Sequence, residues 1–480
     1  MEIAKTATKN VLFLFTADIL SKIINFFYVV ISARFLGVDD YGMLMFGMSF
    51  VEICGIGLDL GLSAILIREI SKNESKMNSY FNNVLFIKII LILVTSLITG
   101  LILYFVNYGH DLNIIIVVLF ITAIINSFAL ILTSVFQAFN KMQYVSIGRI
   151  VSTLVILIGA FFLIRIDVNA NAVDFAFLYL ASSIVLFLLS LLIYIFYFKA
   201  KIRFTFAKKH WLNIIKLALP FGISVIFVTI YYRIDSVMLK FFKGDSEVGL
   251  YNAAYNLIFA LNFIQGIVIT SIYPIMSKLF VSSREQLMKL FEISIRILAI
   301  FAFPIGVGTA LLADRLILLI YGEKFIAASS SLRVLIWALV FMFLNVSIAN
   351  LMNVVNLQKI VAYQIIIAAI FNIVANVFII PKYGAAGASF TTVLSEILAF
   401  ILLLCFSHKY NFKISRFTIL SVLKIVVCTA IMGVFVYFVL NLNLFVVIIL
   451  SAIVYSVLIY MFKVIDKNVI KLFLKLILNR

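Results

Sequence analysis

Long apolar runs, broken by short polar segments, fill this chain from end to end. A helix needs about 20 apolar residues to cross a bilayer core of about 30 Å. Fourteen runs of that kind are predicted, at residues 10–33, 42–66, 82–106, 112–138, 145–164, 173–198, 214–239, 250–276, 288–312, 331–354, 360–380, 385–406, 418–440 and 443–462. Only Asn441, Leu442 and Asn443 separate the last two, which predicts a helical hairpin. The pattern predicts an all-α polytopic membrane protein with about 14 transmembrane helices.

The polar breaks carry a repeat. ARFLGVDDYG at 33–42 and KFFKGDSEVG at 240–249 align without gaps at an offset of 207, pairing Phe35 with Phe242, Gly37 with Gly244 and Gly42 with Gly249. A weaker match at an offset of 216 sets NKMQYVSIGRI (140–150) against NLQKIVAYQII (356–366). Six spans lie between the copies, so the two lobes have the same orientation. Parallel repeats of this build hold their site between the lobes. The expected plan is an N-terminal lobe (1–198), a basic linker (199–213), a C-terminal lobe (214–410), and a hairpin with a basic tail (411–480).

Charge orients the spans. Of 38 cations, the loops on one side hold only Arg34, Arg165, Lys240, Lys243, Arg315, Lys324 and Lys382, while every segment on the other side carries at least one. The positive-inside rule makes the richer side cytoplasmic, both termini included. The net charge of +18 is therefore topological, with no nucleic-acid partner expected. MEIAKTATKN leads into a span of full length, so the first segment is expected to stay as an anchor.

Composition narrows the chemistry. The chain is 65% hydrophobic and 12% charged, against about 45–50% and 25% in soluble domains. Cys54, Cys405 and Cys428 lie in apolar runs, and His110, His210 and His408 fall in separate loops. No phosphate-cradling loop, HExxH or nucleophile elbow is present. An enzyme is not expected, nor a metal or cofactor; Na+ or H+ coupling is left unassigned.

Ionisable groups inside a bilayer cost at least about 2.5–3.5 kcal/mol each on insertion scales, so each needs a reason. Lys88, Arg149 and Lys424 lie near inner span ends and are expected to snorkel to the headgroups. Asp18, Lys22, Glu52 and Glu396 sit deeper. Asp18, Lys22 and Asn25 share one helix face. That face is either an intrahelical ion pair or the wall of a wet cavity, and Glu292 with Arg296 repeats the choice. In YYRIDS, which holds Tyr231, Tyr232 and Asp235, Arg233 either reaches a cavity or snorkels outward. Polar stripes add Thr122, Asn126, Thr133, Gln137 and Asn140 in span 4, and Asn252, Asn256, Asn262 and Gln265 in span 8. Asn345, Asn353, Gln364, Asn372 and Asn376 continue them in spans 10 and 11. Amides and phenols both donate and accept, which suits a hydroxyl-rich solute such as a sugar. Pro220 is expected to open span 7, Pro304 to bend span 9, and Pro381 to end span 11.

Four motifs in order, ARFLGVDDYGML (33–44), VGLYNAAYNL (248–257), LIYGEKFIAAS (319–329) and IIPKYGAAGAS (379–389), resemble signatures of the polysaccharide-repeat flippases. These are the O-antigen and capsule exporters of the multidrug/oligosaccharidyl-lipid/polysaccharide (MOP) superfamily, with its MATE-like fold, and the resemblance runs nearly end to end. It implies two six-helix lobes plus a hairpin, and a flippase moving an isoprenoid diphosphate-linked oligosaccharide from the inner to the outer leaflet of the cell membrane by alternating access. A polysaccharide polymerase and glycosyltransferases are the implied partners. Cations facing the diphosphate are implied at Lys22 first, Arg233 second and Arg296 third. Asn25, Asn126, Gln137, Asn252, Asn256 and Tyr231 are the sugar candidates; the resemblance carries over no coupling-ion site, and Asp18, Glu52 and Glu396 are candidates for proton or sodium coupling. The hairpin resembles that of the lipid II flippases, where it borders a groove for the lipid tail, but the dense lumen arginines of that branch are missing. Two alternatives stand: a cation-coupled drug or metabolite antiporter of the same superfamily, and a non-transporting scaffold of a polysaccharide assembly complex.

Overall fold

The computed structural model describes residues 2–106, 108–198 and 208–464; most of the basic linker and the end of the tail lie outside them. No strand occurs among the described residues. Helices suit these sequences because lipid offers no partner to the backbone, so each segment must bond its own N–H and C=O groups. In order they are α1 (Glu2–Gly55), α2 (Leu62–Lys72), α3 (Met77–Val106), α4 (His110–Ala138), α5 (Met142–Ile166), α6 (Ala172–Phe198), α7 (Lys208–Lys243), α8 (Asp245–Leu261), α9 (Phe263–Ser282), α10 (Arg284–Leu311), α11 (Ala313–Tyr321), α12 (Ala328–Val354), α13 (Gln358–Lys409), α14 (Arg416–Phe438) and α15 (Leu444–Met461). Twelve helical runs among the described residues are long and apolar enough to cross a membrane. Two of the runs contain a kink that joins two helices, α1 at Gly37 and α13 at Gly384, both at positive φ that glycine adopts without strain. Counting each as two spans gives the fourteen expected. The protein is a multi-pass membrane protein.

Packing groups the chain into two compact units, the first closing at Gly249 and the second opening at Leu250. In the first, α1 packs on α4, α5, α6 and α7, and α2 packs on α4 and α7. In the second, α12 packs on α9, α10 and α13, and α14 packs on α10 and α15. Large apolar side chains on α3, such as Leu93, Leu97, Tyr104 and Phe105, stay exposed. They suit contact with lipid tails.

Both sequence echoes have structural counterparts. Gly37 and Gly244 both take positive φ, at 78° and 90°. Gly42 and Gly249 then meet: a Cβ on Gly42 would lie 1.9 Å from the Asp245 carbonyl oxygen, and one on Gly249 would lie 2.2 Å from that of Val38. Val38 and Asp245 are themselves 207 apart, so the contact is reciprocal, and the two copies of the motif pack on each other within the first unit. The second echo pairs Asn140 with Asn356, both left-handed at φ 55° and 62°. Each ends its helix with the same bond, Lys141 N to Phe136 O and Leu357 N to Met352 O, both 2.8 Å. Asn tolerates this conformation better than other side-chain-bearing residues.

Three expectations change. The run 42–66 is not one helix: α1 ends at Gly55, a 3-10 turn covers Ile56–Leu58, and residues 59–61 are unwound with Leu60 and Gly61 at φ 42° and 83°. The break is held by close packing, since a Cβ on Gly61 would lie 2.8 Å from Ala218 O on α7, and one on Gly222 would lie 2.8 Å from Leu60 O. Span 8 is interrupted at Asn262, the position 207 residues after Gly55. Pro220 lies inside α7 rather than opening it, because the helix begins at Lys208.

Candidate functional site

Spans 1 and 5 build the first polar constellation. Asp18 and Lys22 stand one turn apart on α1, and Lys22 Nζ lies 2.9 Å from Asp18 Oδ2. Arg149 on α5 does not snorkel as expected: its Nη1 donates to the other oxygen, Asp18 Oδ1, at 2.9 Å. One carboxylate therefore holds two cations from two helices. Asp18, Lys22 and Arg149 are 41%, 46% and 49% exposed, so the cluster is open to a ligand. Asn25 is exposed one turn further along α1.

A second pair lies deeper in the chain. Arg233 on α7 grips Glu52 on α1 through one edge of its guanidinium, Nη2 donating to Oε1 at 2.8 Å and Nε to Oε2. Arg233, which the sequence left to reach a cavity or to snorkel, is held by Glu52 and remains 27% exposed. Tyr231 and Tyr232 pack edge to face beside it, with ring centroids 5.4 Å apart. Tyr28 and Tyr179 make a similar pair at 5.3 Å, and Tyr179 lies within electrostatic range of Arg233 and Glu52.

The third constellation was missed in the sequence. Asp59, in the unwound stretch after α1, accepts from Lys88 Nζ on α3 at 2.8 Å and from Ser63 Oγ at 2.6 Å. Lys88 also donates to the Ser127 carbonyl on α4 at 2.8 Å and is fully buried. The expectation that Lys88 snorkels is corrected, because the break in span 2 places a carboxylate within its reach. The available signal was Asp59 itself, a carboxylate set two residues from a glycine on either side within an otherwise apolar stretch.

In the second unit, Glu292 does not pair with Arg296 one turn on. Its carboxylate caps α14, accepting from Ser415 N at 2.8 Å, Ser415 Oγ at 2.7 Å and Thr418 Oγ1 at 2.9 Å. Arg296 is buried with its guanidinium 5.0 Å from the centre of the Phe417 ring. Glu396 is also buried and accepts from Asn345 Nδ2 at 2.8 Å. Asn376 donates to Asn372 at 3.0 Å and accepts from Thr391, which ties the span-11 amides to the following span. Asn252 is buried and Asn256 half-buried on α8, whereas on α4 Asn126 is exposed and Gln137 half-buried. Among the described residues no three His, Cys, Asp or Glu side chains converge as a metal site.

The same unit holds an apolar cavity of about 490 Å³ between α10, α14 and α15, lined by Pro304, Gly308, Leu312, Val436, Ser451 and Tyr455 among others. One end is fastened by Arg315 on α11, which donates to the carbonyls of Leu440 and Leu442 at 2.6 and 2.7 Å. Leu312 and Leu316 pack there against Val436, Leu444 and Val447.

Comparison with known proteins bears on this geometry. A family model described as polysaccharide biosynthesis protein matches residues 7–280, and one described as MatE matches residues 220–378. The chain is 23% identical to the probable low-salt glycan biosynthesis flippase Agl15 of Haloferax volcanii, covering 82% of this chain and 81% of the relative. It is 22% identical to a putative O-antigen transporter of Shigella dysenteriae, covering 82% of this chain and 98% of the relative. Among solved structures, the lipid II flippase MurJ in an inward closed conformation superposes with a TM-score of 0.76 at 19% identity, covering 94% of this chain and 98% of that one. An inward-facing multidrug resistance MATE transporter of the MOP superfamily superposes with a TM-score of 0.68 at 14% identity, covering 81% and 94%.

Proposed function

The chain belongs to the polysaccharide biosynthesis protein family, and on that footing we propose that it is a flippase for an isoprenoid diphosphate-linked oligosaccharide. It takes the substrate from the inner leaflet of the cell membrane and releases it in the outer one, by alternating access of the lobes 1–198 and 214–410, with both termini cytoplasmic. The observation that carries this reading is the open cation pair of Lys22 and Arg149 inside membrane-spanning helices. Asp18 neutralises only one of the two cations, and an excess positive charge inside membrane-spanning helices is costly unless a further anion meets it. Lys22 is the first diphosphate ligand, Arg233 the second and Arg296 the third. Arg296 is buried against Phe417 and meets a ligand only after rearrangement. The apolar cavity between α10, α14 and α15 suits an isoprenoid tail. Asn25, Asn126, Gln137, Asn252, Asn256 and Tyr231 are assigned to the sugar, and Asp18, Glu52 and Glu396 to ion coupling. A polysaccharide polymerase and glycosyltransferases act on either side of the step.

The homologous flippases and O-antigen transporters support this reading over the antiporter, which the MatE match over residues 220–378 keeps as the second one. A strain lacking this chain tests both. Accumulation of undelivered lipid-linked sugar, cured by the unaltered chain, is expected of the flippase. Retention of a cationic dye with normal surface glycan supports the antiporter instead. A charge-assisted hydrogen bond contributes about 1.5–3 kcal/mol, so Lys22→Ala at normal protein level is expected to cut export at least about tenfold, with Lys22→Arg retaining more. Full export by Lys22→Ala removes Lys22 from the site.

A further inference from the structure

We propose that Asp18 is a tethered counter-anion: it occupies the seat formed by Lys22 and Arg149 when no substrate is bound, and the diphosphate displaces it. The proposal rests on the diphosphate reading of Lys22. Its basis is the way the three charges are shared. Asp18 Oδ2 meets Lys22 Nζ at 2.9 Å and Asp18 Oδ1 meets Arg149 Nη1 at 2.9 Å. The cations come from α1 and α5, so each carboxylate oxygen stands where one oxygen of a bridging anion would stand.

Two positive side chains repel each other unless an anion lies between them, and Asp18 keeps both in place while the site is empty. The seat as a whole stays one positive charge in excess. A diphosphate brings more negative charge than one carboxylate and more acceptor oxygens for the planar fork of Arg149. It outcompetes Asp18, whereas a monoanion has little advantage over it. The seat therefore selects multiply charged anions over monoanions, and the greater number of acceptor oxygens favours a diphosphate over a monophosphate. Asp18 lies one helical turn from Lys22 and cannot leave, so it returns when the diphosphate departs and helps to expel it. The half-exposed state of all three side chains leaves room for the exchange.

Isothermal titration of the purified full chain in lipid nanodiscs tests this, with farnesyl diphosphate, farnesyl monophosphate and inorganic pyrophosphate as probes. Asp18→Asn is expected to bind farnesyl diphosphate about tenfold more tightly than the unaltered chain and to export more slowly. Lys22→Ala and Arg149→Ala are each expected to bind it at least about tenfold more weakly. Asp18→Glu, which keeps the charge, should show no tightening. Farnesyl monophosphate, with fewer charges and fewer acceptor oxygens than farnesyl diphosphate, should bind the unaltered chain more weakly. If Lys22→Ala weakens binding but Asp18→Asn leaves it unchanged or weaker, the counter-anion role is overturned while the diphosphate reading stands. If Lys22→Ala has no effect, the diphosphate reading itself fails. Weakening by Lys22→Ala alone, with Arg149→Ala silent, overturns the two-cation seat. Pyrophosphate binding as tight as that of farnesyl diphosphate overturns the lipid source in favour of a soluble diphosphate. Thermal unfolding checks that each variant is folded, and Asp18→Ser replaces Asp18→Asn if the latter is not.

Discussion

The buried pair of Lys88 and Asp59 predicts an asymmetric response to mutation. Lys88 is fully buried, with its ammonium on Asp59 Oδ1 and the Ser127 carbonyl, while Asp59 is 26% exposed and also holds Ser63 N and Oγ. Asp59→Asn leaves a cation in the interior without its counter-ion, which costs about 3–5 kcal/mol when a buried pair is broken. Lys88→Met removes the charge that has no access to solvent and keeps much of its volume. The carboxylate left behind retains its serine partners and some exposure, so the loss is nearer the about 1–3 kcal/mol of an under-satisfied polar group. The double variant Asp59→Asn with Lys88→Met removes both charges and should recover most of the stability, as replacing a whole buried pair often does. Thermal unfolding of the purified chain in detergent reads the order: the double variant nearest the unaltered chain, then Lys88→Met, then Asp59→Asn. Lys88→Met as damaging as Asp59→Asn, or a double variant no better than the worse single one, would refute the reasoning.

Three further outcomes are expected. Gly42→Ala puts a Cβ 1.9 Å from the Asp245 carbonyl, a backbone atom that cannot swing away, so folded yield on size exclusion should fall sharply; Gly100→Ala, which meets nothing within 4 Å, should match the unaltered chain. Reversing either charge alone, Glu52→Arg or Arg233→Glu, should lower the unfolding temperature, and the swap of both should recover part of it; an absence of recovery would show that the bidentate contact does not set the stability of this region. Gly308→Phe projects into the apolar cavity from a position with nothing within 4 Å, so the chain should fold normally yet lose export of the lipid-linked sugar, and normal export would remove the cavity from the tail's path.

Much of the architecture is legible in the linear order of residues, for a physical reason. A bilayer forces each spanning segment to satisfy its own backbone bonds, so apolar run length alone counts the helices and polar breaks mark the turns. The repeat was legible too, since Gly37 and Gly244, and Asn140 and Asn356, carry left-handed conformations that only certain residues tolerate at low cost. Local patterns also brought Asp18 and Lys22 onto one face, because i and i+4 meet on any helix.

Partners across helices are another matter, because an ion pair depends on which faces pack and not on spacing along the chain. Arg149 and Lys88 were expected to reach for headgroups, yet the packing of α5 on α1 and of α3 beside the broken end of span 2 supplies Asp18 and Asp59 instead. Glu292 had a cation one turn away and took the start of α14, where three unsatisfied donors converge. The break that positions Asp59 comes from a glycine pair, Gly61 and Gly222, separated by 161 residues, and only the folded chain brings their backbones together. The sequence by itself determined how many helices there are, where they turn and which charges must lie among them. Tertiary structure alone decided which charge answers which.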